Sequence, residues 1–289
     1  MLVTLLNWII CMNQTHLKGH GKLNILIVTG VHGNELTPIA CGLELAKDGN
    51  IEKSSYKNLI IIHAINMEGI RTMQRDHSVS ATNDLNRQFG DSVSLDTLKT
   101  KLLNHIEFAD VVIDIHSSPN CTEMILISQD LHANSYVEFA RGLDIDYGVR
   151  YSNAKTIKQE AIKQGKIGFT VELNGMDSID QKSSSKGTNL VTSIIENLET
   201  LKLVELEPSY PVMYEVKTFR EGLITNKEYV FIPGNSINNG DELFNIYDIG
   251  NPNPVYNLVS YDGPNGCVLN VTNNDYVLPG EVIMLIQPH

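Results

Sequence analysis

Short, continuous apolar runs alternate with segments of helical periodicity over the first 200 residues of the chain. Runs of this kind are typical of strands buried on both faces of a sheet. They are ILIVTG (25–30), NLIIIHAIN (58–66), VVIDIHS (111–117), EMILIS (123–128) and GFTVEL (168–173). The helical segments cover residues 34–46, 94–108, 132–143 and 189–203. This alternation predicts an α/β fold with a parallel or mixed sheet and helices on both faces.

The pattern changes at Glu205, where helical periodicity ends. Short β-type runs such as YVFIP (229–233) then alternate with turns rich in Gly, Pro and Asn, for example NNGD and DGPNG. We therefore predict two domains, an α/β domain over residues 1–204 and a small all-β domain over residues 205–289.

Charge and cysteine content limit the partners and the compartment. Lys and Arg total 22 and Asp and Glu total 34, so the formal net charge is −12. An acidic surface disfavours nucleic acid and anionic membranes as partners. The four cysteines form no C-x-x-C pair, which fits a reducing compartment. The apolar start MLVTLLNWIICM lacks a basic residue before it and a clear cleavage site, so we predict a cytoplasmic protein rather than a secreted one.

The residues with the strongest chemical signal follow two of the predicted strands. His32 and Glu35 stand three positions apart in GVHGNE, directly after the first strand, and His116 stands near the end of the run VVIDIHS. In open α/β sheets, side chains at neighbouring strand ends converge. Two histidines and a glutamate form a known zinc set that leaves one position open for chemistry. Taken singly, each histidine could equally be a hydrogen-bonded loop residue, and His63, inside an apolar run, is interpreted as a core histidine.

A polar stretch from Met67 to Asp91 is too long for an ordinary connection, which favours a functional loop. It contains Arg75 and ends in the motif Asp84-Leu85-Asn86-Arg87. Arginine binds carboxylates through two parallel hydrogen bonds and can stabilise an oxyanion, although many arginines are only solvated or salt-bridged. Glu172 lies in the apolar run GFTVEL, where burial would raise its pKa towards that of a proton shuttle, unless the side chain faces outwards.

Four motifs occur in the order G-x-H-G-N-E, D-L-N-R-x-F, D-I-H-S and V-E-L-N-G. Together they make the chain resemble the succinylglutamate desuccinylase/aspartoacylase family over about residues 24–289. The resemblance implies a zinc-carboxypeptidase-like catalytic domain and a barrel-sandwich-like β domain that caps the active site. It also implies one zinc ion per chain on His32, Glu35 and His116, with Glu172 as the base that deprotonates a metal-activated water and then protonates the leaving amine.

The same resemblance implies substrate contacts. Arg75 matches the arginine that polarises the acyl carbonyl, Asn86 and Arg87 match the pair that binds the substrate carboxylate, and Tyr276 matches a substrate-contacting tyrosine. The chain departs from the family's pattern at Ile162, where an arginine would bind a second substrate carboxylate. A lysine could replace it only as a point charge without the guanidinium fork. The candidates are Lys158, Lys163 and Lys166.

These observations favour an amidohydrolase acting on a small N-acyl amino acid or a related amide. Two alternatives remain open. One is a metallocarboxypeptidase, because the same metal ligands and Asn-Arg pair serve that reaction. The other is a non-catalytic metal-binding protein whose β domain recruits a partner. A homo-oligomer is compatible with the sequence.

Overall fold

The computed structural model describes most of the first 206 residues and the strands of the C-terminal part. The described ranges are 13–47, 49–76, 84–89, 97–150, 155–206, 209, 214–217, 222–225, 236–247, 256–260, 263, 266–271, 276–277 and 282–288.

The core of the fold is a mixed sheet of seven strands in the order β1-β3-β2-β4-β7-β5-β6. The strands are β1 (Asn13–Lys18), β2 (Asn24–Val28), β3 (Asn58–Ala64), β4 (Val111–Ser118), β5 (Met124–Ser128), β6 (Tyr147–Arg150) and β7 (Ile167–Asn174). β2 pairs in parallel with both β3 and β4, and β4 pairs in parallel with β7. β1 runs antiparallel to β3. The predicted mixed sheet is confirmed.

Six α-helices lie among the described residues. They are α1 (Leu36–Leu45), α2 (Met67–Thr72), α3 (Thr97–Phe108), α4 (Ala133–Gly142), α5 (Ile157–Lys163) and α6 (Gln181–Glu196), and short 3-10 helices occur at Leu85–Arg87 and Leu198–Thr200. The helix predicted over residues 189–203 was wrong in its bounds. α6 begins eight residues earlier because the Asp180 side chain accepts a hydrogen bond from the Ser183 backbone N–H, which is an N-cap. The sequence patterns also missed β1, β6, α2 and α5.

Helices cover both faces of the sheet, as predicted. On one face, side chains of β2, β3 and β4 pack with α3 and α5 in one apolar cluster. Its members include Leu26, Val28, Ile62, Leu102, Ile106, Val112, Ile157 and Ala161. Removing a side chain of this size from water stabilises the fold by about 1.5–3 kcal/mol.

The opposite face carries α1 and α6. A Cβ placed on Gly187 of α6 would lie 2.6 Å from the Leu173 side chain of β7, so glycine permits this close approach. α1 packs against α6, where the hydroxyl of Thr188 donates to the Cys41 sulfur at 3.7 Å. None of the described helices is long and apolar enough to cross a membrane.

By contact clustering the chain divides into two compact units. One comprises Met1–Ser118 and Asn153–Lys202, and the other comprises Pro119–Ser152 and Leu203–His289. The described C-terminal residues of the second unit form two four-stranded sheets, ordered β10-β13-β15-β8 and β12-β11-β9-β14. These strands are β8 (Tyr214–Lys217), β9 (Gly222–Thr225), β10 (Ser236–Ile237), β11 (Glu242–Tyr247), β12 (Tyr256–Ser260), β13 (Gly266–Val271), β14 (Tyr276–Val277) and β15 (Val282–Pro288). The strand expected at YVFIP lies outside the described residues, and the domain boundary at residue 204 stays a prediction.

Candidate metal centre

The loop after β2 brings two of the three predicted ligands to the carboxyl end of the sheet. Gly30 turns the chain with a φ of +64°, and a Cβ at this position would lie 3.0 Å from the Ala64 Cα. Glycine is therefore favoured at this turn. Glu35 occupies the N-cap position of α1, yet its side chain makes no capping hydrogen bond. That side chain is turned towards His32.

The third ligand comes from β4, the strand next to β2. Side chains alternate between the two faces of a strand, so Asp114 and His116 share one face. His116 is aligned with Glu172 on the parallel neighbour β7. Aligned residues of parallel neighbours point to the same face, and Glu172 therefore lies on the His116 side of the sheet. The Glu172 side chain is half-buried.

The three predicted ligands form one buried cluster. His32 Nδ1 lies 2.6 Å from one carboxylate oxygen of Glu35, and His116 Nδ1 lies 3.0 Å from the other. The two Nδ1 atoms are 3.2 Å apart. The Ser117 backbone N–H also donates to Glu35 Oε2 at 3.0 Å, which fixes the carboxylate beside β4. One potential ligand atom from each residue lies within 4.8 Å of the others, so a single ion could contact all three.

Each histidine turns its other ring nitrogen towards an aspartate. His32 Nε2 lies 3.0 Å from Asp84 Oδ1, and His116 Nε2 lies 2.8 Å from Asp114 Oδ2. Carboxylates in this position fix the tautomer and the ring orientation of metal-binding histidines. Neither aspartate was predicted to have a role. The D-x-H spacing on a strand indicates that Asp114 and His116 share a face, so the sequence contained evidence for this pair. Asp84 stands 52 residues from His32, and no local pattern connects the two.

Asn86 lies directly against this cluster and is buried, with 4% of its surface exposed. Its side-chain NH2 donates to Asp114 Oδ2 at 3.0 Å and lies 2.7 Å from His116 Nε2. Its side-chain oxygen accepts a hydrogen bond from the Ile157 backbone N–H at the start of α5. Arg87, the next residue, is exposed and donates to the Asn86 carbonyl at 2.9 Å.

Arg75 bridges two carboxylates at the edge of the cluster. Its NH1 lies 3.2 Å from Glu35 Oε1, and its NH2 lies 3.0 Å from Asp84 Oδ2. The side chain is 43% exposed, so the guanidinium group can also reach a molecule from solvent. Arg75 thus lies beside Glu35, one of the three predicted ligands.

The electrostatics of the cluster favour ionised carboxylates. Burial by itself would raise the pKa of Glu35, but the neighbouring His116 and His32 outweigh it and hold the pKa well below its usual range. For the His116 imidazole, burial by itself would lower the pKa, and Asp114 together with Glu35 raises it well above its usual value. Buried anionic groups of this kind stabilise a positive charge placed between them.

The pKa of Asp84 is lowered in the same way. Burial acts to raise it, and the hydrogen bond and charge of His32, followed by the charges of Arg75 and Arg87, hold it below its usual range. The carboxylate that orients His32 is therefore ionised at neutral pH.

The remaining predicted positions are those near Ile162 and Tyr276. Lys158 Cγ and Ile162 Cγ1 both lie near Gly168, at 3.0 and 3.2 Å from a Cβ placed there, four residues before Glu172. Lys166 Nζ donates to the Glu107 carbonyl at 3.2 Å, just before β4 begins. Tyr276 lies in β14, paired with Leu223, and its side chain is outside the described part.

The prediction that His63 is a core histidine is confirmed. His63 is buried, its Nε2 lies 2.8 Å from the Thr15 hydroxyl, and burial lowers its pKa.

The donor set fits a zinc ion. Two imidazole nitrogens and one carboxylate converge, all three residues are buried, and each imidazole has an outer carboxylate partner. Zinc prefers nitrogen and carboxylate ligands of this kind, and three protein ligands leave a position open. The fold and the cluster therefore define an α/β protein with a candidate metal centre at the carboxyl ends of β2 and β4.

Comparison with known proteins gives the family. Residues 22–198 match the model of the succinylglutamate desuccinylase/aspartoacylase catalytic domain. The chain belongs to this family, and the resemblance carried by its four motifs is confirmed. No curated protein matches the chain by sequence.

Solved structures share the fold at low sequence identity. A succinylglutamate desuccinylase/aspartoacylase from Rhodobacter sphaeroides is 18% identical, with a TM-score of 0.71 over 95% of this chain and 87% of that chain. The product-bound ectoine utilization protein EutE from Ruegeria pomeroyi is 17% identical, with a TM-score of 0.71 over 96% and 88%. Murine aminoacylase 3 is 14% identical, with a TM-score of 0.60 over 93% and 96%. These likenesses show the fold alone.

Proposed function

We propose that this protein is a zinc-dependent amidohydrolase that cleaves an N-acyl amino acid or a related small amide into a carboxylate and an amine. The observation that carries the proposal is the buried convergence of His32, Glu35 and His116, with both imidazoles backed by aspartates. Membership of a family named for a desuccinylase and an aspartoacylase supports the reaction class. We further propose one zinc ion per chain and a cytoplasmic location.

His32, Glu35 and His116 would hold the ion. When bound there, zinc would polarise the acyl carbonyl and lower the pKa of a water molecule towards about 7. Outer carboxylates would keep each imidazole in the tautomer that presents Nδ1 to the ion. Because the site is buried, charged interactions in it are stronger than in water.

Glu172 is proposed as the proton carrier. It would take one proton from the attacking water, whose oxygen forms the new bond to the acyl carbon. It would then give that proton to the amine nitrogen as the carbon–nitrogen bond breaks, so that the carboxylate is regenerated. The location of Glu172 on the His116 face of β7 supports this role.

Arginines are proposed to handle the negative charge of the substrate. Arg75, already in contact with Glu35, would stabilise the oxygen anion that develops on the acyl group. Arg87 would bind the substrate carboxylate with Asn86, whose side chain must exchange one of its present hydrogen bonds to do so. Tyr276 is proposed as a further substrate contact.

The test combines metal analysis with an amidase screen. Purified chain should contain about one zinc ion and release amine from at least one member of a panel of N-acyl amino acids. Chelation should abolish the release, and added zinc should restore it. Full zinc occupancy without cleavage of any N-acyl compound would refute the proposal.

The panel should also separate the alternatives. N-acetylaspartate and N-succinylglutamate carry an additional carboxylate, and N-acyl derivatives of neutral amino acids do not. Since Ile162 stands where an arginine would bind a second carboxylate, we expect the neutral series to be preferred. Release of a free amino acid from an unblocked dipeptide, with all N-acyl compounds inert, would instead identify a metallocarboxypeptidase.

A further inference from the structure

One buried side-chain amide connects the ligand loop to the backbone of Arg75. Asn66 follows β3 and is fully buried, with 0% of its surface exposed. Its NH2 group donates to the Val31 carbonyl at 3.1 Å and to the Arg75 carbonyl at 3.3 Å. Its side-chain oxygen accepts a hydrogen bond from the Gly69 backbone N–H at 2.9 Å, which caps the N-terminus of α2. Every hydrogen-bonding atom of this amide is therefore in use.

The ligand loop around Gly33 and the segment from Asn66 to Arg75 are packed backbone to backbone. A Cβ placed on Gly33 would lie only 1.9 Å from the Gly69 carbonyl carbon, so no side chain fits between the segments. The Gly33 N–H also donates to the Arg75 carbonyl at 3.4 Å. The Arg75 carbonyl thus accepts from the ligand loop and from Asn66. The two segments meet at Gly33 and Gly69, which have no side chains. Hydrogen bonds therefore set the position of the ligand loop relative to the segment that carries Arg75.

We propose that Asn66 is a positioning residue for the catalytic site. The NH2 group of its side chain holds the loop that carries His32 and Glu35 at a fixed position relative to Arg75. The inference rests on the proposed function, because it assigns Asn66 a role in placing the metal ligands and the arginine that stabilises the oxygen anion.

The geometry explains why a small loss would matter. The Val31 carbonyl, one residue before His32, receives its side-chain partner from Asn66. Without the NH2 group, this buried carbonyl loses that donor, and the loop shifts to recover one. A displacement of about 1 Å of a catalytic group costs on the order of 10²-fold in rate.

Two substitutions separate positioning from helix capping. Asn66→Asp and Asn66→Ser both retain a side-chain oxygen that can cap α2, because Asp and Ser are good N-cap residues. Both remove the NH2 group, and Asn66→Ser does so without adding charge. Asn197→Asp is a matched control, since Asn197 also donates its side-chain NH2 to a backbone carbonyl, that of Ser193, at the end of α6.

The readouts are the zinc dissociation constant, measured by competition with a chromophoric chelator, and the separate values of kcat and KM. We expect both Asn66 variants to keep a native circular dichroism spectrum, to bind zinc at least about 10-fold more weakly, and to lose on the order of 10²-fold in kcat with a smaller change in KM. Asn197→Asp should match the wild type in all three values.

Zinc affinity and kcat within about twofold of the wild type in Asn66→Ser would overturn the inference while leaving the proposed function intact. Unfolding of both Asn66 variants would also overturn it, because the amide would then serve folding as a whole. If the wild-type chain binds no zinc in the same titration, the proposed function itself fails.

Discussion

His116 and Asp114 form a hydrogen-bonded pair on one strand, with His116 Nε2 only 2.8 Å from Asp114 Oδ2. The pair exists because residues two apart on a strand point to the same face. Asp114 has no exposed surface, and it orients the imidazole so that Nδ1 faces Glu35. A substitution of Asp114 therefore tests the metal centre as directly as a substitution of a ligand.

Asp114→Asn should weaken zinc binding by about 10- to 100-fold, because an amide orients the His116 ring less strongly and carries no charge. The dissociation constant can be measured by chelator competition. Asp110→Asn is the matched control, since Asp110 accepts a hydrogen bond from the Asn24 backbone N–H at the opposite end of β4. Equal zinc affinity in wild type and Asp114→Asn would contradict the assigned role.

Glu172→Gln should retain zinc and lose about 10²- to 10⁴-fold in kcat, because glutamine cannot carry the proton. Metal content and steady-state kinetics on the best N-acyl substrate test this. The control is Glu196→Gln at the exposed end of α6, where the side chain accepts a hydrogen bond from the Glu52 backbone N–H. Unchanged turnover in zinc-loaded Glu172→Gln would show that another group moves the proton.

Arg87→Lys should raise KM by about 10- to 100-fold with a smaller effect on kcat, since lysine replaces a bidentate fork by a point charge. This range corresponds to the loss of about 1.5–3 kcal/mol from a charged hydrogen bond. Arg71→Lys, at an exposed position of α2, is the control and should change neither constant. A KM for Arg87→Lys equal to that of the wild type would remove Arg87 from the substrate site.

The Cys41 thiol should resist alkylation in the native protein. Burial raises its pKa to about 12, and the hydrogen bond from Thr188 only partly offsets this. A raised pKa keeps the thiol protonated, so at pH 8 the reactive thiolate is scarce and is also shielded from solvent. Mass spectrometry after iodoacetamide treatment should find Cys41 unmodified in the native state and modified in guanidinium chloride. Rapid native modification would show that α1 opens from α6.

Much of the sheet could be predicted from local patterns. The runs that became β2, β3, β4 and β7 are continuous and apolar because strands covered on both faces contact apolar helices on each side. β1 escaped prediction because NQTHLK is largely exposed, and its strand conformation depends on antiparallel pairing with β3. α6 began earlier than predicted because its first turn is polar and is started by the Asp180 cap.

The sequence by itself determined the residue types of the candidate centre and the strand ends from which they come. His32, Glu35 and His116 were predicted from their residue types, from the order of the four motifs, and from their positions at strand ends, which come together in such sheets. Only the tertiary structure decided which ring nitrogens face one another and which carboxylates support them. Asp84 and Asn66 reach the centre through contacts between segments that are distant in the chain, at His32 and Val31. Local periodicity carries no information about such contacts, because they depend on the packing of loops after the sheet has formed.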